Sequence, residues 1–331
     1  MRAAAIPALS VLAGALLAGT ACGATIDRDF HESFDVEEGY SLILRSGDGD
    51  VTVRPWDQDV IDVTVRYRAD IERVGFGEDP DFDVEFEHGD DYVRVMGRVK
   101  QSGPSIFRMV RRHEYAYMIK APPYVALQID GDDGDIDIRN WSADIDCDVD
   151  DGDVYLETIE NSRTELSLDD GDCTLRALTG SLSVSADDGD LSISDCALSE
   201  ASLDLDDGDV SARTSAGDFA VSVDDGDVTL DLLSSSSTNV RADDGTVSVE
   251  VGTGVVEEIS VDTNDGNVMI SMPPGSSYSF RVTTDDGGIR IELPDPDTFE
   301  KDENSASGTV RGGGGRVSVR TDDGDVILLE G

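Results

Sequence analysis

Residues 145–193 read IDCDVDDGDVYLETIENSRTELSLDDGDCTLRALTGSLSVSADDGDLSI, and the fold follows from them. Asp-Asp-Gly-Asp recurs at Gly152, Gly171 and Gly189, 19 and 18 residues apart. Outward from there the tetrapeptide or a near variant continues at Gly134, Gly208, Gly226, Gly245, Gly266, Gly287 and Gly324, with an early copy at Gly49. From Gly134 to Gly245 the spacing is 18 or 19 residues, after which it is 21, 21 and 37. The last gap has room for two periods, or for one rung and a loop over 295–315. So regular a period marks a repeat architecture.

Offsets from each glycine show what one unit is. Two residues after it stand Val154, Cys173 and Leu191, and four after it Leu156, Leu175 and Ile193. Five before it stand Cys147, Leu166 and Val184, and the same apolar character holds at these offsets from Gly49 to Gly324. Intervening positions are mostly Ser, Thr, Asp, Glu or Arg. Alternation with period two on either side of an Asp-Gly turn means two short strands per unit. Asp and Gly form turns and make poor helices, so the chain is all-β.

Two architectures satisfy this alternation. Asp-Gly between alternating strands is a strong hairpin signal, which permits an antiparallel array. The other is a single-stranded β-solenoid, or β-helix, whose rungs of about 18–19 residues stack in parallel about 4.8 Å apart. The solenoid is preferred. The unit is too short for a propeller blade of about 40–45 residues, and one residue type recurs at one offset. Ten rungs then make a rod of about 50 Å. Cys147 and Cys173 fall in apolar columns. Cys196 stands seven after its glycine, as do Trp56, Trp141, Ile159, Leu178 and Leu233. All three cysteines therefore read as core residues rather than ligands or redox centres. Ser234–Ser237 reads as a loop insertion.

The N-terminus has a different character. Arg2 precedes an apolar, uncharged run from Ala3 to Ala21, the pattern of a signal peptide over 1–21. Gly19-Thr20-Ala21-Cys22 resembles a bacterial lipobox, which makes Cys22 the lipidated residue of an exported, membrane-anchored protein. The alternative is an ordinary secretory signal with a coincidental cysteine. Residues 22–40 read as a polar tether, 41–125 as a first rung plus a β-hairpin cap region, and 126–331 as solenoid repeats. Val60–Tyr67, Phe82–Phe86, Tyr92–Met96 and Tyr115–Ile119 supply the strands of the cap, which a solenoid needs over its end rung.

Met118-Ile119-Lys120-Ala121-Pro122-Pro123, Leu127-Gln128-Ile129, Gly134-Asp135-Ile136-Asp137-Ile138 and the closing Gly312–Gly315 run together resemble the bacterial "putative adhesin" families of Gly-Asp-Val/Ile β-repeat proteins. The resemblance spans about residues 41–331 and implies a β-helical fold with a surface role. Those relatives usually have Ser-Gly-Asp where this chain has Asp-Asp-Gly-Asp.

Six consecutive turns each hold three aspartates: Asp132, Asp133 and Asp135; Asp150, Asp151 and Asp153; Asp169, Asp170 and Asp172; Asp187, Asp188 and Asp190; Asp206, Asp207 and Asp209; Asp224, Asp225 and Asp227. Stacking aligns them as three columns on one edge. Two like charges about 4.8 Å apart repel by about 0.9 kcal/mol in bulk water, so the columns oppose folding by several kcal/mol. Ca²⁺ is the one cofactor this pattern suggests, because carboxylate bonds of about 2.3–2.6 Å on either side of an ion span the rung spacing. Established calcium β-roll repeats read Gly-Gly-x-Gly-x-Asp, and that signature is missing. High external salt is a rival remedy, consistent with 3 lysines beside 22 arginines. Turn chemistry alone is a third account.

With 72 acidic against 25 basic residues and a net charge of −47, no nucleic-acid partner is expected. One segment is basic: between Arg94 and Lys120 seven Lys and Arg face one acid, Glu114. Within it Arg108, Arg111 and Arg112 are candidates for contact with anionic lipid or with another molecule's acidic edge, or else form a solvated loop. His31, His88 and His113 lie outside the repeat in no metal-binding spacing, and the Gly312–Gly315 run lacks the Lys-Ser/Thr of a phosphate loop. The sequence thus predicts a non-enzymatic, lipid-anchored, extracytoplasmic adhesin-like module with a protein or glycan surface ligand. Its rivals are a Ca²⁺-binding structural protein and, further off, a polysaccharide-active enzyme.

Overall fold

The computed structural model describes residues 23–73, 81–100, 108–252 and 257–331. Every element is a strand, and among the described residues no helix is long and apolar enough to cross a membrane. Parallel, in-register pairing stacks the repeats. Ile136, Val154, Cys173, Leu191, Val210, Val228, Val247 and Val268 lie one above another along one wall. Ile129, Cys147, Leu166, Val184, Leu203, Val221, Val240 and Val261 do the same along the other. All of these side chains are buried. A third interior column stands three residues before each glycine, in Val149, Leu168, Ala186, Leu205, Val223 and Ala242, and it changes to Thr263, Thr284 and Thr321 near the C-terminal end. The fold is a β-solenoid, because aliphatic columns at rung spacing fill its interior.

The seventh-position column breaks for a local reason. Asn140, Thr158, Ala177 and Asp195 have φ of 55–59° and form a left-handed bulge at the corner opposite the Asp-Gly turn. In the next rung that residue is lost: Ser194 pairs with Arg213 and Cys196 with Thr214, so Thr214 takes the buried place and donates its hydroxyl to Cys196 O at 3.1 Å. One rung on, Thr214 pairs with Leu232 and Ser215 with Ser234. Leu232 is therefore buried, while the expected core residue Leu233 is the extra one and is 41% exposed. Trp56 is likewise only half-buried. The run Ser234–Ser237, expected as a loop, lies within the continuous strand Val228–Asp244.

At both ends spatial order departs from sequence order. Strands β1 (Gly23–Asp35), β2 (Ser41–Gly47), β3 (Gly49–Pro55), β4 (Val60–Arg73), β5 (Asp81–His88), β6 (Tyr92–Lys100) and β7 (Arg108–Ala121) form the N-terminal end. The Gly49 rung, β2 and β3, does not begin the stack. It lies between the Gly134 rung and a further rung formed by β6 and β7, both parallel to it. Outside that, β5 pairs antiparallel with β6, β4 with β7, and β1 with β4. Stacked rings of Tyr67, Phe82 and Tyr115, with Phe30 edge-on to Phe82, close this end of the core. Residues 23–35, expected as part of a polar leash, are instead a strand. Phe34 is buried, and alternate positions bond β4, as in the pair Arg66–Asp29 at 3.3 Å.

The C-terminal end mirrors this insertion. The Gly324 rung, last in sequence, lies between the Gly266 and Gly287 rungs. The 37-residue gap holds a hairpin of Thr298–Lys301 and Ser305–Val310, whose second strand runs antiparallel along the free edge of Tyr278–Asp286. An exposed parallel edge would template further pairing, and the antiparallel hairpin covers it.

Candidate functional site

The acidic edge is built from the turn glycines outward. Gly152 and Gly171 have φ of 147° and 135°. A Cβ on Gly171 would lie 2.3 Å from Gly152 O, so turns stack backbone on backbone and only glycine fits. The Gly152 N–H donates to Asp170 O and the Val154 N–H to Asp172 O, each at 3.0 Å. Between them lies one N–H per turn without a backbone partner, and the third aspartate of the neighbouring rung takes it. Asp153 N donates to Asp135 Oδ1 at 3.1 Å, Asp172 N to Asp153 at 2.9 Å, Asp190 N to Asp172 at 3.0 Å, Asp209 N to Asp190 at 3.0 Å and Asp227 N to Asp209 at 2.8 Å. Asp50 begins the series by accepting from Asp135 N, and Asp227 passes it to Thr246 N. A charged acceptor makes each of these bonds stronger than a neutral one. The third column, read in the sequence as stacked charge that Ca²⁺, salt or turn chemistry would accommodate, is thus a hydrogen-bonded rail between rungs.

The first and second columns remain exposed and acidic. In the second, Asp133, Asp151, Asp170, Asp188, Asp207, Asp225 and Asp244 stand in register. In the first, alternate members are perturbed. Lost hydration, followed by the carboxylates of Asp150 and Asp187, raises Asp169 above the ordinary carboxylate range. Asp206 is raised likewise beside Asp187 and Asp224, and Asp132 beside Asp150 and Asp48. Among the described residues no three or more His, Cys, Asp or Glu groups converge to hold a metal ion. An ion on this edge would therefore have to bridge pairs of carboxylates.

The remaining candidates are dispersed. Cys147, Cys173 and Cys196 are buried and unbridged, and burial pushes their thiols up, away from nucleophilic character. His31 bonds Asp62 at 2.8 Å and His88 packs against Phe34 and Tyr40. Cys22 lies outside the described residues. Arg108, Arg111 and Arg112 lie on β7 rather than in a loop, with their side chains outside the described set, and the register sets Asp70 of β4 opposite Arg112. The left-handed column of Asn140, Thr158, Ala177 and Asp195 escaped the sequence reading, since four unrelated residue types give no signal.

Residues 162–329 match the Toastrack DUF4097 domain model. The chain belongs to the Toastrack family. The Toastrack match takes in the rungs from Gly171 to Gly324, and the N-terminal strands β1–β7 precede it. Among solved structures the chain is similar to a "putative adhesin" from Bacteroides fragilis, at 10% identity and TM-score 0.40, over 91% of this chain and 97% of that one. It is also similar to a "putative cell adhesion protein" from Clostridium sporogenes, at 10% identity and TM-score 0.23, over 92% and 100%. No curated protein matches it. In this Toastrack solenoid the acidic edge is continuous with the matched repeats, because its bonds pass from rung to rung.

Proposed function

We propose that the chain is an exported, lipid-anchored, non-enzymatic interaction module of the cell envelope, with an adhesin-like role. The observation that carries this reading is the division of the solenoid into a closed interior and a repetitive exterior. Aliphatic columns fill the inside and hold the three thiols there. The outside offers fixed rows of carboxylates and hydroxyls at rung spacing, a surface suited to an extended partner rather than to an enclosed substrate. β1 supports the anchoring geometry: Gly23 pairs with Glu72, so a lipid on Cys22 would hold the solenoid's N-terminal end close to the membrane without a leash. The test is metabolic labelling with palmitate and fractionation of cells producing the full chain. The wild type should be labelled and sediment with membranes, and Cys22→Ser should abolish both. Unlabelled, freely released wild type would overturn the anchor, and turnover of an acidic glycan would overturn the non-enzymatic assignment.

A second reading, Ca²⁺ held along the acidic edge, is favoured by the upward shift of Asp132, Asp169 and Asp206, which a cation would relieve. Thermal melting separates it from screening. A rise in midpoint with millimolar CaCl₂ beyond that in NaCl of equal ionic strength supports Ca²⁺, and equal rises support screening.

A further inference from the structure

The C-terminal hairpin helps to build a groove where it joins the repeats. Where Ser305–Val310 and Thr298–Lys301 fold over the last rung, a four-stranded sheet presents a concave outer face with a cavity of about 690 Å³. Two cross-strand rows line it. Ser318, Arg281, Ser307 and Glu300 are in register as one row. Arg316, Ser279, Thr309 and Thr298 form the next, two residues or about 7 Å along the strands.

The two arginines differ in partners. Arg316 faces Glu258 of the neighbouring rung at 3.7 Å. Arg281 is exposed and, among the described residues, has no carboxylate partner, although the chain holds 72 acidic residues. Its nearest cross-strand neighbours are the hydroxyls of Ser307 and Ser318. Glu300 stands two strands from it, about 9.6 Å away backbone to backbone, and does not pair with it.

We infer that this groove binds a carboxylated saccharide, with Arg281 gripping the carboxylate and the serine and threonine rows meeting the ring hydroxyls. A guanidinium presents a planar fork that matches a carboxylate with two parallel bonds. Hydroxyls both donate and accept, as sugar hydroxyls require, and Glu300 supplies an acceptor at the groove's far wall. The cavity has the size of a small-molecule site. A net charge of −47 disfavours a densely sulfated polymer, so the ligand is one whose single carboxylate reaches Arg281 between neutral sugars.

The test is calorimetric titration of the exported chain with an unsulfated glucuronate-containing tetrasaccharide and with its carboxyl-reduced counterpart. The acid form should bind at least about tenfold more tightly. Arg281→Gln should remove that difference, and Arg281→Lys, which keeps charge but loses the fork, should restore only part of it. Thermal melting of each variant should match the wild type, because Arg281 is an exposed side chain. Equal binding of the two saccharides, or full binding by Arg281→Gln, would overturn the assignment. So would competition by acetate or sulfate as effective as that of the tetrasaccharide, which would mark a bare anion site. The measurement is made in solution and does not depend on lipidation, so failure of the anchoring proposal would leave its outcome interpretable.

Discussion

The backbone N–H of Asp172 donates to Oδ1 of Asp153, one rung below, at 2.9 Å. The bond gives the third aspartate of each turn a different duty from the first two, although all three look alike in sequence. Asp153→Ala should therefore lower the melting midpoint by about 2–4 °C, the effect of losing one charge-assisted bond in a chain of this size. Asp153→Asn, which keeps an acceptor, should lower it less; Asn267 already serves Asp325 N in this way at 3.0 Å. Asp150→Asn, in the repelling first column, should leave the midpoint unchanged or raise it. Equal losses at 150 and 153, followed by circular dichroism, would contradict the division of roles.

The turn glycines and the left-handed bulge both favour glycine, so opposite substitutions at them should have opposite effects. Gly171→Ala places a methyl 2.3 Å from a backbone oxygen at a φ of 135°, so the loss should exceed about 3 kcal/mol and is expected to prevent folding of that region. Gly312, with open space around it, should tolerate alanine better. At Ala177, φ is 55° and the strain belongs to the alanine, so Ala177→Gly should stabilise by up to about 1 kcal/mol. Urea midpoints of the three variants test this order.

Acidification should stabilise the rod before it destabilises it. Asp132, Asp169, Asp206 and Asp244 are raised in the folded chain, first by lost hydration and then by neighbouring carboxylates. The folded state thus binds more protons than the unfolded one. Stability rises as pH falls through the raised values, and the gain is complete below the ordinary value of about 3.9. Glu330 works the other way, since Arg311 at 3.0 Å lowers it and its contribution is lost as pH falls through the lowered value. Melting curves at low salt should therefore peak on the acid side of neutrality. In 1 M NaCl the peak should flatten, because repulsion within the columns is already screened.

The inserted Gly324 rung should be indispensable to both neighbours. Residues 315–331 fill the space between the Gly266 and Gly287 rungs, so deleting them leaves two parallel edges without a partner. Hydrogen exchange should show lost protection over both 258–272 and 278–292. Loss confined to one of these segments would mean that the rungs close on each other.

The sequence by itself determined the all-β class, the rung length and the apolar columns, because those depend on a local alternation repeated at one period. Val154, Cys173 and Leu191 announce their place by their distance from a glycine, and that distance fixes which wall they line. It did not reveal the left-handed bulge at Ala177, whose loss one rung later turns Leu233 outward, since no residue type encodes it. Nor did it show the two end insertions, where β6 and β7 stack outside the Gly49 rung and the last rung enters ahead of its predecessor. Those arrangements depend on pairing between segments far apart in the chain, which a period cannot specify. The acidic edge divides in the same way. Its aspartates were plain in sequence, but only stacking placed Asp153 under the Asp172 amide, and only the folded-back hairpin brought Arg281 into a groove of hydroxyls.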